Sequence, residues 1–183
     1  MSSESMRRAR FETVAAEVFD PLQRYLRRRV PADDAGDLFG DVMLTIWRRL
    51  DDVPDDAALP WCYGVARRTL SNHRRSSQRR LRLVERLEAE PTPDLILDPA
   101  DALEDSDLAD ALAELSVADQ EIIRLWAWER LEPREIAEVL GSTSNAVSLR
   151  LGRARKKLGE TLSRQDPPSA GHKGNRHTEE QPR

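Results

Sequence analysis

The chain has 183 residues and a formal net charge of −4, with 39% hydrophobic and 34% charged residues. This length allows one domain or two small ones, and the net charge excludes a general polycation. The single cysteine, Cys62, excludes an internal disulfide and a zinc site built from several cysteines. No signal-peptide core or membrane-length apolar run is visible, so we expect a soluble cytoplasmic protein with no membrane insertion of its own.

Apolar residues recur at helical spacing along the first fifty residues, and no segment alternates as a strand would. The pattern predicts a first helix over about 8–19. Asp20 followed by Pro21 is typical of an N-cap and a first helical turn, so a second helix is expected over about 20–29. A third helix with a broad apolar face is expected over about 34–50.

Positive charge is concentrated in two segments that contain no carboxylate. The first, 57–84, carries seven arginines and predicts a basic helix over about 59–78, and the second, 139–159, carries five Arg and Lys residues. Between them, 85–107 has nine acidic residues against one arginine, and its prolines favour an extended linker. Because like charges repel, each basic cluster indicates an anionic partner. The chain therefore suggests a protein that binds nucleic acid at two places.

The segment 132–158 has the features of a helix-turn-helix. Pro133 suits the first turn of a short helix, and Gly141 fits the left-handed position that ends it. Thr143 or Ser144 can cap the basic helix that follows, and the second helix of this motif enters the major groove of DNA. The candidate contacts with duplex DNA are Ser144, Asn145, Ser148, Arg150 and Arg153.

These patterns predict an all-α protein with two small helical domains joined by a flexible acidic linker, the second domain containing the helix-turn-helix. We expect the first domain over 8–80, the linker over 81–107 and the second domain over 108–162. The remaining residues, 163–183, are expected to form a disordered tail, since they are polar and rich in proline.

Three sequence blocks resemble bacterial sigma factors of the sigma-70 family, in the two-domain extracytoplasmic-function group. The blocks are DDAGDLFGDVMLTIW, then LPWCYGVARRTLSNHRR, then LSVADQEIIRLWAWERLEPREIAEVLG followed by NAVSLRLGRARKKL. Their order is that of the family, and the resemblance covers about 11–162. The chain departs from the family's usual residues at Arg130, Ser142 and Ala146.

The resemblance implies a promoter-specific transcription initiation factor whose partners are core RNA polymerase, promoter DNA and an anti-sigma factor, with no cofactor. The second domain would bind the −35 duplex, while the first would dock on polymerase and hold the melted −10 element. The implied polymerase-binding residues are Asp37, Leu38, Asp41 and Val42. The implied −10 contacts are Trp61, Arg67, Asn72, Arg74 and Arg75, although a core position is also open for Trp61.

Other classes of protein remain open at this point. A stand-alone helix-turn-helix regulator with an N-terminal helical interaction domain would explain the second half of the chain but not the arginine-rich helix. A pure protein-interaction module would leave the charge layout unexplained. An enzyme is disfavoured because the sequence shows no convergent His, Asp or Glu constellation, so we expect neither catalysis nor a metal site.

Overall fold

The computed structural model describes residues 3–87 and 106–165, and in these residues every regular element is helical. The all-α prediction is therefore confirmed. The elements are α1 (Ser3–Arg27), α2 (Ala32–Arg48), a short 3-10 helix (Leu50–Asp52), α3 (Ala58–Leu87), α4 (Ser106–Ala113), α5 (Val117–Ala127), α6 (Pro133–Leu140) and α7 (Ser144–Gln165).

A single helix, α1, occupies the region where two helices were predicted. Asp20 and Pro21 lie inside it, so the prediction of a new helix at Pro21 is wrong. Proline in a helix interior costs about 3 kcal/mol. Here α1 buries one continuous stripe of side chains against its neighbours, and this burial offsets that cost. The buried stripe consists of Val14, Val18, Leu22, Tyr25 and Leu26.

The first three helices pack on one another around aliphatic and aromatic side chains. Val42 and Ile46 of α2 are fully buried. The ring of Trp47 meets Phe11 of α1 edge-on, with 5.1 Å between ring centroids. The guanidinium of Arg7 lies 5.3 Å from the Trp47 ring. Trp47 therefore takes part in the packing of α1 on α2.

Helix α3 extends beyond its predicted end near Gln78 and continues to Leu87. It thus enters the segment 81–107, which was predicted as an extended linker. Arginine, leucine and glutamine have high helix propensity, and no proline interrupts the chain before Pro91. Helix α7 likewise continues to Gln165, past the predicted start of the tail. At the other end of the predicted linker, Ser106 and Asp107 already belong to α4. Residues 88–105 of the linker and 166–183 of the tail lie outside the described residues.

The second half of the chain packs directly against the first three helices through α6. Helix α6 lies on α3, and Ile136 and Val139 of α6 belong to the same continuous buried core as Val65 of α3. The helix-turn-helix is therefore placed against the arginine-rich helix. This contact fixes the positions of the two predicted DNA-binding surfaces relative to each other.

Candidate nucleic-acid and polymerase interfaces

The turn of the helix-turn-helix is built around Gly141. Its φ of +63° is left-handed, as the sequence predicts. The N–H of Gly141 donates to the carbonyl of Glu138, and the N–H of Ser142 donates to the carbonyl of Ala137 at 2.9 Å. This is the Schellman pattern, which satisfies the last carbonyl groups of a helix. It ends α6 abruptly and redirects the chain into α7.

Side chains also define where the two helices of the motif begin. Pro133 occupies the first turn of α6, and the N–H of Glu132 donates to the Glu135 carboxylate at 2.7 Å. At the start of α7, the Thr143 hydroxyl accepts the N–H of Ala146 at 3.3 Å. Of the two candidate caps, the structure therefore selects Thr143 and makes Ser144 the first helical residue.

Replacing Gly141 with valine is expected to destabilise the protein by roughly 1–2 kcal/mol, because an L side chain is disfavoured at positive φ. A Cβ at this position meets nothing within 4 Å, so the cost comes from the backbone and not from a clash. Asparagine tolerates this conformation better, so Gly141→Asn is the matched control. Urea unfolding measures both; equal losses for the two variants would contradict this explanation.

The predicted −35 contacts share the outer side of α7. All five of them are exposed, whereas Val147, Leu151 and Ala154 of the same helix are buried. The Ser148 hydroxyl donates to the carbonyl of Ser144 at 2.8 Å. The polar face is consequently presented to solvent by a helix whose other side is anchored in the core.

Arg150 is held by a carboxylate of the same domain. Its Nε and one Nη lie 2.9 and 2.8 Å from Asp119 Oδ1. The Ser116 hydroxyl donates to the other oxygen of Asp119 at 2.6 Å. Partial burial acts to raise the pKa of Asp119, but the hydrogen bonds from Ser116 and Arg150 outweigh it and the pKa lies below its ordinary value. Asp119 therefore stays ionised and orients Arg150.

The arginine-rich helix α3 presents a second polar face. Asn72, Arg74 and Arg75 are exposed, and Arg67 is half-buried. One Nη of Arg75 donates to Asn72 Oδ1 at 2.7 Å. These side chains combine positive charge with an amide that can bond to a base edge. Such a surface suits a single strand, whose phosphates and bases are both accessible.

Trp61 lies near the start of α3 and is half-buried. The guanidinium of Arg49 sits 5.3 Å from the centroid of its ring, within the range of a cation–π contact. The ring also packs against the core. Trp61 is thus neither a fully buried core residue nor a free stacking platform.

The four predicted polymerase contacts in α2 divide into two groups. Asp37 and Asp41 are exposed. Leu38 and Val42 are buried, with 4% and 0% of their surface exposed. In this arrangement Leu38 and Val42 contribute to the core and not to the surface, because they lie on the inward stripe of an amphipathic helix.

An exposed apolar residue on the face of these aspartates was missed by sequence reasoning. Leu44 is 45% exposed and follows Asp37 and Asp41 at helical spacing, so the three share one face of α2. Phe19 of α1 is also exposed, at 44%, but it meets Phe39 edge-on at 5.0 Å, on a different side of α2 from the aspartates. Leu44 could have been identified from sequence because it lies off the apolar stripe of α2.

Both halves of the chain match models of one protein family. The model of sigma-70 region 2 matches residues 15–80, and the model of sigma-70 region 4 matches residues 106–158. RNA polymerase sigma factor NccH of Alcaligenes xylosoxydans xylosoxydans is 31% identical over 136 residues, which cover 70% of this chain and 73% of that protein. The chain belongs to the sigma-70 family of RNA polymerase sigma factors.

Two further comparisons agree with this membership. The RNA polymerase sigma-E factor of Streptomyces avermitilis is 30% identical over 159 residues, covering 85% of this sigma factor and 87% of that one. The sigma factor RpoE of Bartonella quintana, solved in complex with the anti-sigma factor NepR, has the same fold with a TM-score of 0.58 at 22% identity. That comparison covers 84% of this chain and 96% of that one.

The matched regions make this sigma factor a promoter-specific transcription initiation factor of the two-domain extracytoplasmic-function group. Region 2 contains the arginine-rich helix that a stand-alone helix-turn-helix regulator leaves unexplained. In residues 3–87 and 106–165, no group of three or more His, Cys, Asp or Glu side chains could hold a metal ion. No helix within those ranges is long and apolar enough to cross a membrane.

Proposed function

We propose that this sigma factor connects core RNA polymerase to a promoter through three separate surfaces. The exposed face of α2 docks on polymerase, the polar face of α3 holds the unpaired −10 strand, and the outer face of α7 binds the −35 duplex. The main support for this assignment is that α3 and α7 expose polar residues on one face while their other faces are buried in the core. The protein acts by binding and melting and performs no catalysis.

The −35 assignment rests on the geometry of α7. Ser144, Asn145 and Ser148 occupy its first two turns, which is the part of a recognition helix that reaches base edges. Arg153 is exposed further along the same helix, where a phosphate contact positions the helix on the duplex. Arg150 is held by Asp119, so its guanidinium is oriented before DNA arrives.

The −10 assignment rests on the charge and exposure of α3. Arg74 and Arg75 attract the phosphates of a single strand, and Asn72 offers a donor and an acceptor to an unpaired base. Holding bases outside the duplex offsets an unstacking cost of a few kcal/mol per step. Arg67 and Trp61 are half-buried and would line the edge of this surface.

The polymerase assignment rests on one face of α2. Asp37 and Asp41 provide negative charge, and Leu44 provides an exposed apolar side chain on the same face. An apolar centre with a charged rim is typical of a specific protein interface. Leu38 and Val42 would support this face from the core, without direct contact.

The functional units are proposed to be 8–80 for polymerase docking and −10 recognition and 108–162 for −35 recognition, with 81–107 connecting them. Because polymerase and promoter DNA are its targets, the site of action is the cytoplasm. An anti-sigma factor is a further proposed partner, supported by the complex in which the Bartonella quintana sigma factor was solved.

Run-off transcription with purified bacterial core polymerase on a promoter library tests the proposed function. Transcripts that share a common upstream sequence are expected when this sigma factor is added, and none of them when core polymerase is used alone. Without polymerase, the protein is expected to bind the selected promoter weakly at physiological salt, because its net charge is −4. Failure to initiate on any template would overturn the proposal.

A further inference from the structure

Leu149 is an exposed apolar side chain on the outer side of α7. It is 54% exposed, whereas Val147 and Leu151, two residues before and after it, are buried. At 3.6 residues per turn, a step of two residues places Leu149 roughly 160° around the helix from both of them. Leu149 therefore points away from the core, in the second turn of the proposed recognition helix.

Two of the proposed −35 contacts share a ridge with Leu149. Asn145 precedes it by four residues and Arg153 follows it by four, and both are exposed. Residues four apart lie on the same face of a helix. A single exposed leucine on an ordinary surface needs no explanation. This one, however, lies at the centre of the face that would meet the bases.

Basic side chains on both sides of this ridge are held by α5. The guanidinium of Arg150 pairs with Asp119 at 2.8 Å, and that of Arg155 lies 4.4 Å from the centroid of the Trp126 ring. Arg150 and Arg155 lie about 100° and 120° from Leu149, in opposite directions around α7. Positive charge that can attract backbone phosphates thus flanks an apolar centre.

The surface beside Leu149 is open on the side of the next turn. Gly152 follows it by three residues, and a Cβ placed there would meet nothing within 4 Å. Packing within the protein therefore does not require glycine at this position, although glycine is unfavourable inside a helix. Without a side chain at Gly152, a base edge can approach the backbone of α7 closely.

The hydroxyl next to Leu149 is already engaged. Ser148 donates its hydroxyl proton to the carbonyl of Ser144 at 2.8 Å, and a serine hydroxyl has only one proton to donate. Ser148 can then accept a hydrogen bond from a base but not donate one. Its ability to distinguish bases is therefore reduced, which leaves room for a contribution from Leu149.

The major groove offers one apolar group at its floor, the C5-methyl group of thymine, and apolar side chains contact it. The other base-edge groups in this groove are hydrogen-bond donors and acceptors. Facing a leucine, such a group would lose its water without gaining a partner, which is unfavourable. A leucine in this position thus favours thymine and disfavours the other bases.

We propose that Leu149 is a specificity-determining residue of this sigma factor, which packs against the C5-methyl group of a thymine in the −35 duplex. This inference rests on the proposed function, since it assumes that α7 enters the major groove. The −35 element then contains an A·T pair opposite the second turn of α7, and the methyl group selects the strand that carries the thymine.

Replacing thymidine with deoxyuridine tests this contact, because deoxyuridine lacks the methyl group but keeps the same hydrogen-bonding edge. The template is the promoter selected by run-off transcription, with each thymidine of its −35 element replaced in turn. The full-length protein is assembled with core polymerase, and the concentration that half-saturates promoter binding is measured at one fixed salt concentration.

Leu149→Ala removes the proposed contact from the protein side. Its matched control is Val117→Ala in α5, because Val117 is 80% exposed in the same half of the chain and has no proposed contact. Both side chains are exposed, so both variants are expected to fold, and thermal unfolding checks this.

For the unmodified protein, deoxyuridine at one position is expected to weaken promoter binding by about fourfold, the effect of burying one methyl-sized group. Leu149→Ala is expected to weaken binding to the thymidine template by a similar factor. It should then bind the thymidine and deoxyuridine templates equally, because the methyl group has lost its partner. Val117→Ala should retain the fourfold difference.

Three results would overturn the role of Leu149 while leaving the proposed function intact. The first is a selected −35 element with no thymine on either strand, and the second is equal binding of the unmodified protein to every deoxyuridine template. The third is a difference that persists undiminished in Leu149→Ala, which would leave Leu149 for contact with a protein partner. Failure to initiate on any template would instead overturn the proposed function, and this inference with it.

Discussion

Replacing Arg74 and Arg75 together with alanine is expected to lower run-off transcription by about 10- to 100-fold, since hydrogen bonds that involve charged groups contribute about 1.5–3 kcal/mol each. Both side chains are exposed on α3, so the core should be unaffected. Binding of core polymerase should remain unchanged because the proposed docking face lies on α2. Permanganate reactivity of unpaired thymines measures the loss of the open complex directly.

The matched control for this pair is Arg8→Ala with Arg27→Ala. Both are exposed arginines of α1, and the control removes the same total charge from a surface with no proposed DNA contact. A comparable loss of transcription in both double variants would mean that net charge, and not the α3 surface, governs promoter melting. Loss of polymerase binding in the α3 variant would mean that Arg74 and Arg75 take part in polymerase docking and not in DNA binding.

Replacing Leu38 with alanine is expected to lower the free energy of unfolding by about 2–5 kcal/mol, as for other leucines removed from a core. Only 4% of its surface is exposed. Asp41→Ala, one turn away on the exposed face, should change stability by less than about 0.5 kcal/mol. It should instead weaken binding to core polymerase, so thermal unfolding and a polymerase pull-down separate the two roles.

The opposite outcome would restore the original sequence interpretation of α2. If Leu38→Ala left stability unchanged but abolished polymerase binding, Leu38 would have to be reachable by polymerase and could not be part of the core. Leu44→Ala is a useful third variant because Leu44 is 45% exposed. Weaker polymerase binding at unchanged stability is expected there.

The helix-turn-helix was the part of the fold most accessible to sequence reasoning. Its signals are local: Pro133 begins a helix, Gly141 ends it, and Thr143 or Ser144 caps the next. Each depends on backbone geometry or on hydrogen bonds between residues a few positions apart, and tertiary context rarely overrides several such signals at once. The structure confirms Pro133 and Gly141 and, of the two candidate caps, selects Thr143.

Predictions that depended on burial were less successful. Asp20 and Pro21 indicate a helix start by local rules, but α1 continues through them because its buried stripe outweighs the cost of proline. Leu38 and Val42 were assigned to a binding surface by resemblance, although their spacing places them on the inward face of α2. In each case, packing against another helix decided the outcome.

By itself, the sequence determined that this sigma factor is helical, that Gly141 ends the first helix of its helix-turn-helix, and which residues carry the positive charge. The tertiary structure alone decided how its two halves meet. Arg29 and Glu129 form their buried pair across 100 positions of chain, and no periodicity or spacing connects such residues. Two basic faces can be recognised from charge, but their separation depends on long-range packing.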